Sequence, residues 1–538
     1  MTKNRSIANL VLLGFVISTS YRARAAKEES SRYTLIRAVP KSSSQLQYLY
    51  GLMSHAFAEQ VDFWRFSGNL NDSCDFMTDG ATLKNLSQQF KHENINYTIV
   101  IPDVEQLILR QAKRKKKRQP GSAYYLEQAG GNYFNLGTYH SYDEISGFMN
   151  WAETSFPHLA KIHTIGYTHE KRPIQLLQIG LSDYPKPSIW LDAGIHAREW
   201  IAPSTAIIII TELLENYDRD ASVRAYVDLL TWYILPVVNP DGLEFSRASN
   251  DPRVRLWRKN RSAASCILPL QMGQHCCLGV DLNRNFDFNW GEVGGSNDPC
   301  EEVYHGSGPF SEPETDAIRR FISSRSGEFA SFITLHSYSQ MWMYPYGHRR
   351  QAYSSDVRQL RAVALRASQA LYNVYNTRYE VGTGADLLYP ASGGSEDWAK
   401  AKAGIKYSYL LELRPHKDSS QGFLLDESQI IPTGKETWEG IRCVADAVIS
   451  TASSTAFALP MSWCQDMDPF LCRWWAANGG CHMVPSTALR KALAKKTFRP
   501  EMYRNGNLPQ PEIIPSYGCV NIQLERNANM PKENVLNQ

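Results

Sequence analysis

At 538 residues and 43% apolar side chains, the chain exceeds one ordinary domain and has the material for a sizeable core. A net charge of only +3 argues against a nucleic-acid binder and against a partner with an acidic surface.

Residues 1–25 read as a secretory signal. Lys3 and Arg5 precede an apolar stretch from Ile7 to Ile17, and Ala23-Arg24-Ala25 supplies a small-x-small cleavage site. The stretch falls short of the ~20 apolar residues that a membrane span needs. No later segment fills that role, since Ile207–Ile210 is a brief burst in an amphipathic helix ending at Glu215. The chain is therefore expected to be secreted and extracellular, with no membrane span and with its ten cysteines as disulfide candidates. Sequons at Asn71, Asn85, Asn96 and Asn260 agree with that compartment.

Residues 32–110 alternate strand-like runs (Tyr33–Ile36, Val61–Trp64, Tyr97–Val100) with helical patterns near 44–57, 82–92 and 103–112, which predicts a small α+β unit. It ends in the basic run Lys113–Arg118, followed by Gln119-Pro120-Gly121. Between two folded units of a secreted chain, such a run reads as a junction for a trypsin-like or other basic-site protease.

Residues 133–450 alternate strands and helices, which predicts an α/β fold with helices on both faces of a mixed central sheet. The expected strands are Ile174–Ile179, Ser188–Ala193, Thr231–Val238, Phe332–His336 and Tyr407–Leu413. Expected helices include Tyr142–Thr154, Pro203–Tyr217, Glu312–Ser323, Ser354–Tyr375 and Lys435–Ser450. In open α/β sheets, sites form beyond the carboxyl ends of strands. His196-Ala197-Arg198-Glu199 follows the strand Ser188–Ala193 and puts an imidazole and a carboxylate three residues apart. A catalytic Zn²⁺ takes three protein ligands and keeps one position open. His336, closing the run Phe332–His336, qualifies as the third, and Glu412 also falls at a strand end.

A polar linker (451–463) leads to a segment of different composition. Residues 464–520 carry Cys464, Cys472, Cys481 and Cys519 with little periodicity, predicting a small Cys-rich module, and 521–538 read as a loose tail.

Several stretches of the middle region resemble the zinc metallocarboxypeptidases of the carboxypeptidase A/B type. They are GIHAREW (Gly194–Trp200), VVNPDG (Val237–Gly242), RLWRKNRS (Arg255–Ser262), VDLNRNFD (Val280–Asp287), LHSYSQMWMYPYG (Leu335–Gly347), YPASGGSEDW (Tyr389–Trp398) and LLELRP around Glu412, in the family's order. Carboxypeptidase A is the type case of a His₂Glu catalytic zinc site, so the ligand set His196, Glu199 and His336, with one Zn²⁺ per chain, is what the resemblance implies. It further implies Glu412 as general base and Arg261 as the arginine that stabilises the oxyanion. Asn283 and Arg284 would grip the substrate's terminal carboxylate, Tyr389 would close over it, and Arg198 would belong to a neighbouring subsite. Only a free C-terminus offers that carboxylate, so the implied activity is exo, on peptide and protein C-termini. Cys277–Cys300 matches the family's disulfide. Cys266 and Cys276 are candidates for a second bridge, adjacent Cys276 and Cys277 leave that pairing open, and Cys74 and Cys443 have no obvious partner.

Residues 26–118 resemble the family's activation peptide, an open-sandwich prodomain, through Val61-Asp62-Phe63-Trp64-Arg65. The stretch from Cys464 to Cys481 resembles the start of a ShK-toxin-like domain, implying an interaction or tethering module with an extracellular partner. At the family's specificity position stands Glu396, and a small residue, Gly384, lies upstream. A buried carboxylate is costly unless paired, so substrates ending in Lys or Arg are expected; a Glu396 turned aside onto a neighbouring cation is the alternative. At the level of the whole chain, the alternative is a catalytically weak or inactive protein of this fold that binds peptides or organises extracellular matrix. Against it, His196, Glu199, His336 and Glu412 are all present.

Overall fold

Four antiparallel strands, β1 (Tyr33–Ala38), β2 (Val61–Arg65), β3 (Cys74–Asp79) and β4 (Tyr97–Ile101), form the N-terminal sheet in the order β2-β3-β1-β4. Helices Ser43–Gly51 and Gly80–His92 cover one face, where Ile36, Leu49, Phe76, Leu86 and Phe90 share an apolar cluster. Asp79 caps the second helix by accepting from the backbone N–H groups of Ala81 and Thr82. Leu35, Trp64 and Met77 pack on Leu256, Tyr338, Phe423 and Leu424 of the following region. The sandwich therefore closes against the next unit rather than on itself.

These coordinates are a computed structural model that describes residues 32–53, 60–117, 125–127, 133–267 and 275–456. The expected signal (1–25), Cys-rich module (464–520) and tail (521–538) lie outside the described residues. Two expected boundaries move. The helix Val104–Lys117 runs through most of the basic run, and the helix Ile430–Ala456 continues into the expected linker.

The central sheet has eight strands: β5 (Ala160–Tyr167), β6 (Pro173–Ile179), β7 (Ser188–Ala193), β8 (Thr231–Leu235), β9 (Phe329–Ser339), β10 (Met341–Tyr344), β11 (Glu380–Thr383) and β12 (Tyr407–His416). Their order is β11-β10-β12-β9-β7-β8-β6-β5. The inner four run parallel, while β6 and β10 flank them antiparallel. Every residue of β7 is buried, as expected for a strand covered on both faces. On one face Trp190, Tyr233 and Phe332 pack with Ile318 and Phe321 of helix Pro313–Ser323 and Trp398 of helix Ser395–Ala401.

Helices Ile201–Glu215 and Ile430–Ala456 also pack on the sheet and on each other. The first is buried at every position from Ile201 to Ile210, so it is enclosed all round rather than amphipathic as its sequence suggests. Close approach requires Gly434, where a Cβ would stand 2.3 Å from Ile208 Cδ1. Pro203 is the third residue of this helix, not the first, and still lies among positions whose N–H has no intrahelical partner.

Cys277–Cys300 and Cys266–Cys276 are both bonded, which resolves the adjacent pair. Cys443, which has no obvious partner in the sequence, is disulfide-bonded too. Cys74 is a buried free thiol, and burial pushes it up to about 12. Asn71, Asn85 and Asn96 are exposed, but Asn260 is fully buried, so that sequon has no surface on which to carry a glycan. Among the described residues no helix is long and apolar enough to cross a membrane.

Candidate active site

The carboxyl ends of β7, β9 and β12 converge. His196 and Glu199 follow β7, and His336 in β9 is in register with Glu412 on the parallel neighbour β12. His196 Nδ1 lies 2.7 Å from Glu199 Oε1 and 3.2 Å from His336 Nδ1, and Glu199 Oε2 lies 3.4 Å from His336 Nδ1. All three residues are buried, and one ligand atom from each falls within 4.8 Å of the others. Two imidazole nitrogens facing each other beside a carboxylate crowd their lone pairs onto one point, an arrangement that a cation satisfies. The nitrogen and oxygen donors fit Zn²⁺, and the trio lines the cleft, which leaves an open side.

Behind this trio, His196 Nε2 donates to Asp281 Oδ1 at 3.1 Å, and Arg258 donates to Asp281 Oδ2 from Nε at 3.1 Å and from Nη2 at 2.9 Å. Such an outer carboxylate fixes the tautomer of a ligating His. Burial alone would push Asp281 up, but Arg258 and His196 hold it well below the usual carboxylate range. Burial together with the Arg258 charge depresses His196, favouring the neutral imidazole that ligates. Glu199, although buried, is pulled below its ordinary value by His196 and His336.

Asp281 also accepts from Asn283 N, capping the single turn Leu282–Arg284 that sets Asn283 and Arg284 at the cleft. Gly393, at φ +74°, allows the chain to cross Arg284, where a Cβ would meet its carbonyl oxygen at 2.3 Å. Arg284 Nη2 donates to the Tyr389 hydroxyl at 2.9 Å, and Asn283 Oδ1 accepts from Ser395 N at 2.9 Å. Glu412 lines the same cleft; its Oε2 is sealed from solvent and without a partner. Burial and the nearby Glu199 push the Glu412 carboxyl up to about 8.

One expected residue is misplaced. Arg261 lies over the rings of Phe245 and Trp257, 3.9 Å from Glu170, and does not line the cleft. Arg258, three residues earlier, does line it. The residues from Leu256 to Ala264 form no helix or strand, so no periodicity in the sequence tells which of Arg255, Arg258 and Arg261 faces inward. Glu302, which lines the cleft, and Asp281, behind the trio, are further residues that the sequence reading missed. Asp281 carried a signal, standing two residues before Asn283 in the same motif.

Glu396 is the second residue of the helix Ser395–Ala401 and lines the cleft with Gly347, Gly384, Met343, Ala391 and Leu410. Its Oε2 is sealed and unpartnered, and no cation pairs with Glu396 among the described residues. At Gly384 a Cβ would stand 3.8 Å from its nearest neighbours, so the missing side chain leaves room. Burial raises both Glu396 and Asp397, and the Glu396 charge raises Asp397 further.

The N-terminal sheet covers this cleft. Phe63, Trp64, Arg65 and Phe66 line the same cavity as the zinc trio. Arg198 donates to Asp62 Oδ1 at 2.8 Å and to the Phe63 carbonyl at 3.0 Å, Gly68 N donates to Leu388 O at 2.8 Å, and Phe66 meets the Tyr389 ring edge-on.

This construction has known counterparts. Residues 145–440 match the family described as zinc carboxypeptidase, and residues 36–111 match the carboxypeptidase activation peptide. The chain belongs to the zinc carboxypeptidase family, whose members use one Zn²⁺, and carries that family's activation peptide. It is 42% identical to carboxypeptidase B of Astacus astacus over 59% of this chain and 99% of the relative. It is 35% identical to carboxypeptidase A1 of Bos taurus over 81% of this chain and 98% of the relative. Among solved structures, thrombin activatable fibrinolysis inhibitor superposes at a TM-score of 0.66, with 30% identity over 78% of this chain and 99% of that one. Carboxypeptidase A from Helicoverpa armigera gives 0.68 at 26% identity over 79% and 99%.

Proposed function

We propose that this chain is a secreted zymogen exopeptidase that removes C-terminal Lys and Arg residues from peptides and proteins. The observation that carries the reading is the unpaired Glu396 carboxylate in the same cleft as the zinc trio, Glu412 and the Asn283–Arg284 pair. Zn²⁺ held by His196, Glu199 and His336 supplies a Lewis acid for the scissile carbonyl and lowers the pKa of a water nucleophile.

The chain's own groups do the rest. Glu412 takes the water proton and delivers it to the leaving amine. Arg258, in place of Arg261, is the guanidinium in the cleft that answers the developing oxyanion. Asn283 and Arg284 bind the substrate's terminal carboxylate, the guanidinium in bidentate fashion, and Tyr389 moves from its contact with Phe66 to close over it. Glu396 then receives the ammonium or guanidinium of the last side chain, which removes the cost of a lone buried carboxylate. Arg198 serves the adjoining subsite once Asp62 has left.

In the intact chain β2 occupies the substrate's path. Cleavage in or after the basic run Lys113–Arg118 would release it. Limited trypsin treatment of the secreted chain, followed by a panel of peptides differing at the C-terminus, tests the proposal. Low activity before cleavage and release of Lys and Arg after it are expected. Equal activity before and after cleavage would remove the inhibitory role.

A further inference from the structure

A second group of metal-type donors stands outside the cleft. His169 sits on the turn between β5 and β6, Glu312 precedes the helix Pro313–Ser323 as its cap residue, and Glu314 is in that helix's first turn. The turn is anchored: Thr168 Oγ1 donates to Asp241 Oδ1 at 2.7 Å and Glu170 N donates to Asp241 Oδ2 at 2.8 Å. One nitrogen and two carboxylate oxygens from the three residues lie within 4.8 Å of one another, the same convergence that the catalytic trio has. His169 Nε2 is 3.0 Å from Glu312 Oε2.

Glu312 is served by His169, Asn260 and Ser311, but Glu314 is too little served for its burial. Glu312 is 5% exposed and Glu314 0%. One amide answers both, with Asn260 Nδ2 donating to Glu312 Oε2 at 2.7 Å and to Glu314 Oε2 at 3.1 Å. Ser311 Oγ donates to Glu312 Oε1 at 2.8 Å, but Glu314 Oε1 is sealed from solvent and has no partner. The helix N-terminus favours negative charge only modestly, by less than an unpaired buried carboxylate costs. Without a metal, Glu312 favours a proton on His169; a divalent cation that displaces it leaves a neutral imidazole and two carboxylates, whose charge of −2 it cancels.

We propose that His169, Glu312 and Glu314 form a second, non-catalytic divalent-cation site of the Zn²⁺ class. Mixed imidazole and carboxylate donors suit that ion. The site also reaches the back of the active site. Asn260 Oδ1 accepts from Val280 N at 2.8 Å, and the next residue, Asp281, holds both His196 and Arg258. A cation that fixes the carboxylates fixes Asn260, and through it the segment that orients a catalytic ligand.

The test measures metal content of the full chain, stripped with chelator and dialysed against buffered Zn²⁺. Wild type should hold two equivalents, H169A and E314Q one each, H336A one, and H169A/H336A none. Zn²⁺ should raise the Tm of H336A but not that of the double variant. His169 is partly exposed, so H169A should fold and decides the matter if E314Q does not. One equivalent in wild type, or two in H169A, would overturn the proposal and leave the cluster as a proton-sharing ion pair. Two equivalents in H336A would instead strike the catalytic assignment, so the two failures are distinguishable.

Discussion

Around Asp281 each buried charge meets its counterpart, while around Glu396 it does not. Asp281 is bound by His196 and by two nitrogens of Arg258, and Glu199 has both imidazoles and the Ser337 N–H. Glu396 Oε2, in the same cavity, has no partner, and Asp397 beside it has backbone N–H groups such as that of Gly347, with the His348 imidazole 3.9 Å away. The contrast separates two kinds of site. The complete network holds the metal ligands in place, whereas under the proposed function the open oxygen of Glu396 is where the substrate brings the missing charge. The activation peptide underlines the point by supplying Asp62 to Arg198 while leaving Glu396 unanswered.

The comparison breaks most severely if the network is not what holds the metal. Chelation, or His336→Ala, is expected to abolish activity and zinc content together, with zinc restoring the chelated wild type. Full occupancy in His336→Ala would refute the ligand set. Next in size is Glu412→Gln, expected to keep zinc and fold but lose about 10²–10⁴-fold in kcat. Because burial and Glu199 raise Glu412 to about 8 and a bound cation pulls it down again, kcat/KM should fall with decreasing pH along a limb between 4.5 and about 8. The base works only when deprotonated, so activity is present above its pKa and lost below. A pH-rate profile in which Glu412→Gln retains that limb would make Glu412 a bystander.

A smaller effect separates two neighbouring arginines. Arg258→Ala should cost about 10²–10³-fold in kcat, the scale of a lost oxyanion donor. Arg261→Ala should leave kcat within a few-fold, about 1 kcal/mol or less. The reverse order would return the role to Arg261. Smaller still, Asp62→Ala removes one charge-assisted hydrogen bond worth about 1.5–3 kcal/mol. The uncleaved chain should then leak about tenfold more activity, and an unchanged leak would show that Asp62 plays no part in latency.

The zinc trio was legible from His196-Ala197-Arg198-Glu199 after one apolar run and His336 on another, and from the family resemblance, although β9 continues past His336 to Ser339. Strand β7 has its expected bounds, and β9 and β12 exceed theirs by a few residues. What was not legible depends on partners remote in sequence. β3 was missed because Asp75 interrupts its apolar alternation, a charge made tolerable by Arg37 on β1. β10 was missed because only Gln340 separates it from β9, which leaves no run of turn residues between the two. Arg258 and Arg261 differ only in tertiary surroundings, and the burial of Asn260 depends on Glu312 and Glu314 more than fifty positions away.

The central claim is that Glu396 is the open half of an ion pair completed by substrate. The direct measurement is kcat/KM of the trypsin-activated enzyme on matched peptides ending in Arg, Lys, Phe or Leu, with Glu396→Ile alongside. The account predicts that wild type favours Arg and Lys, and that Glu396→Ile turns the preference toward Phe and Leu while the peptide bond is still cleaved. Faster release of Phe or Leu by the wild type would contradict it.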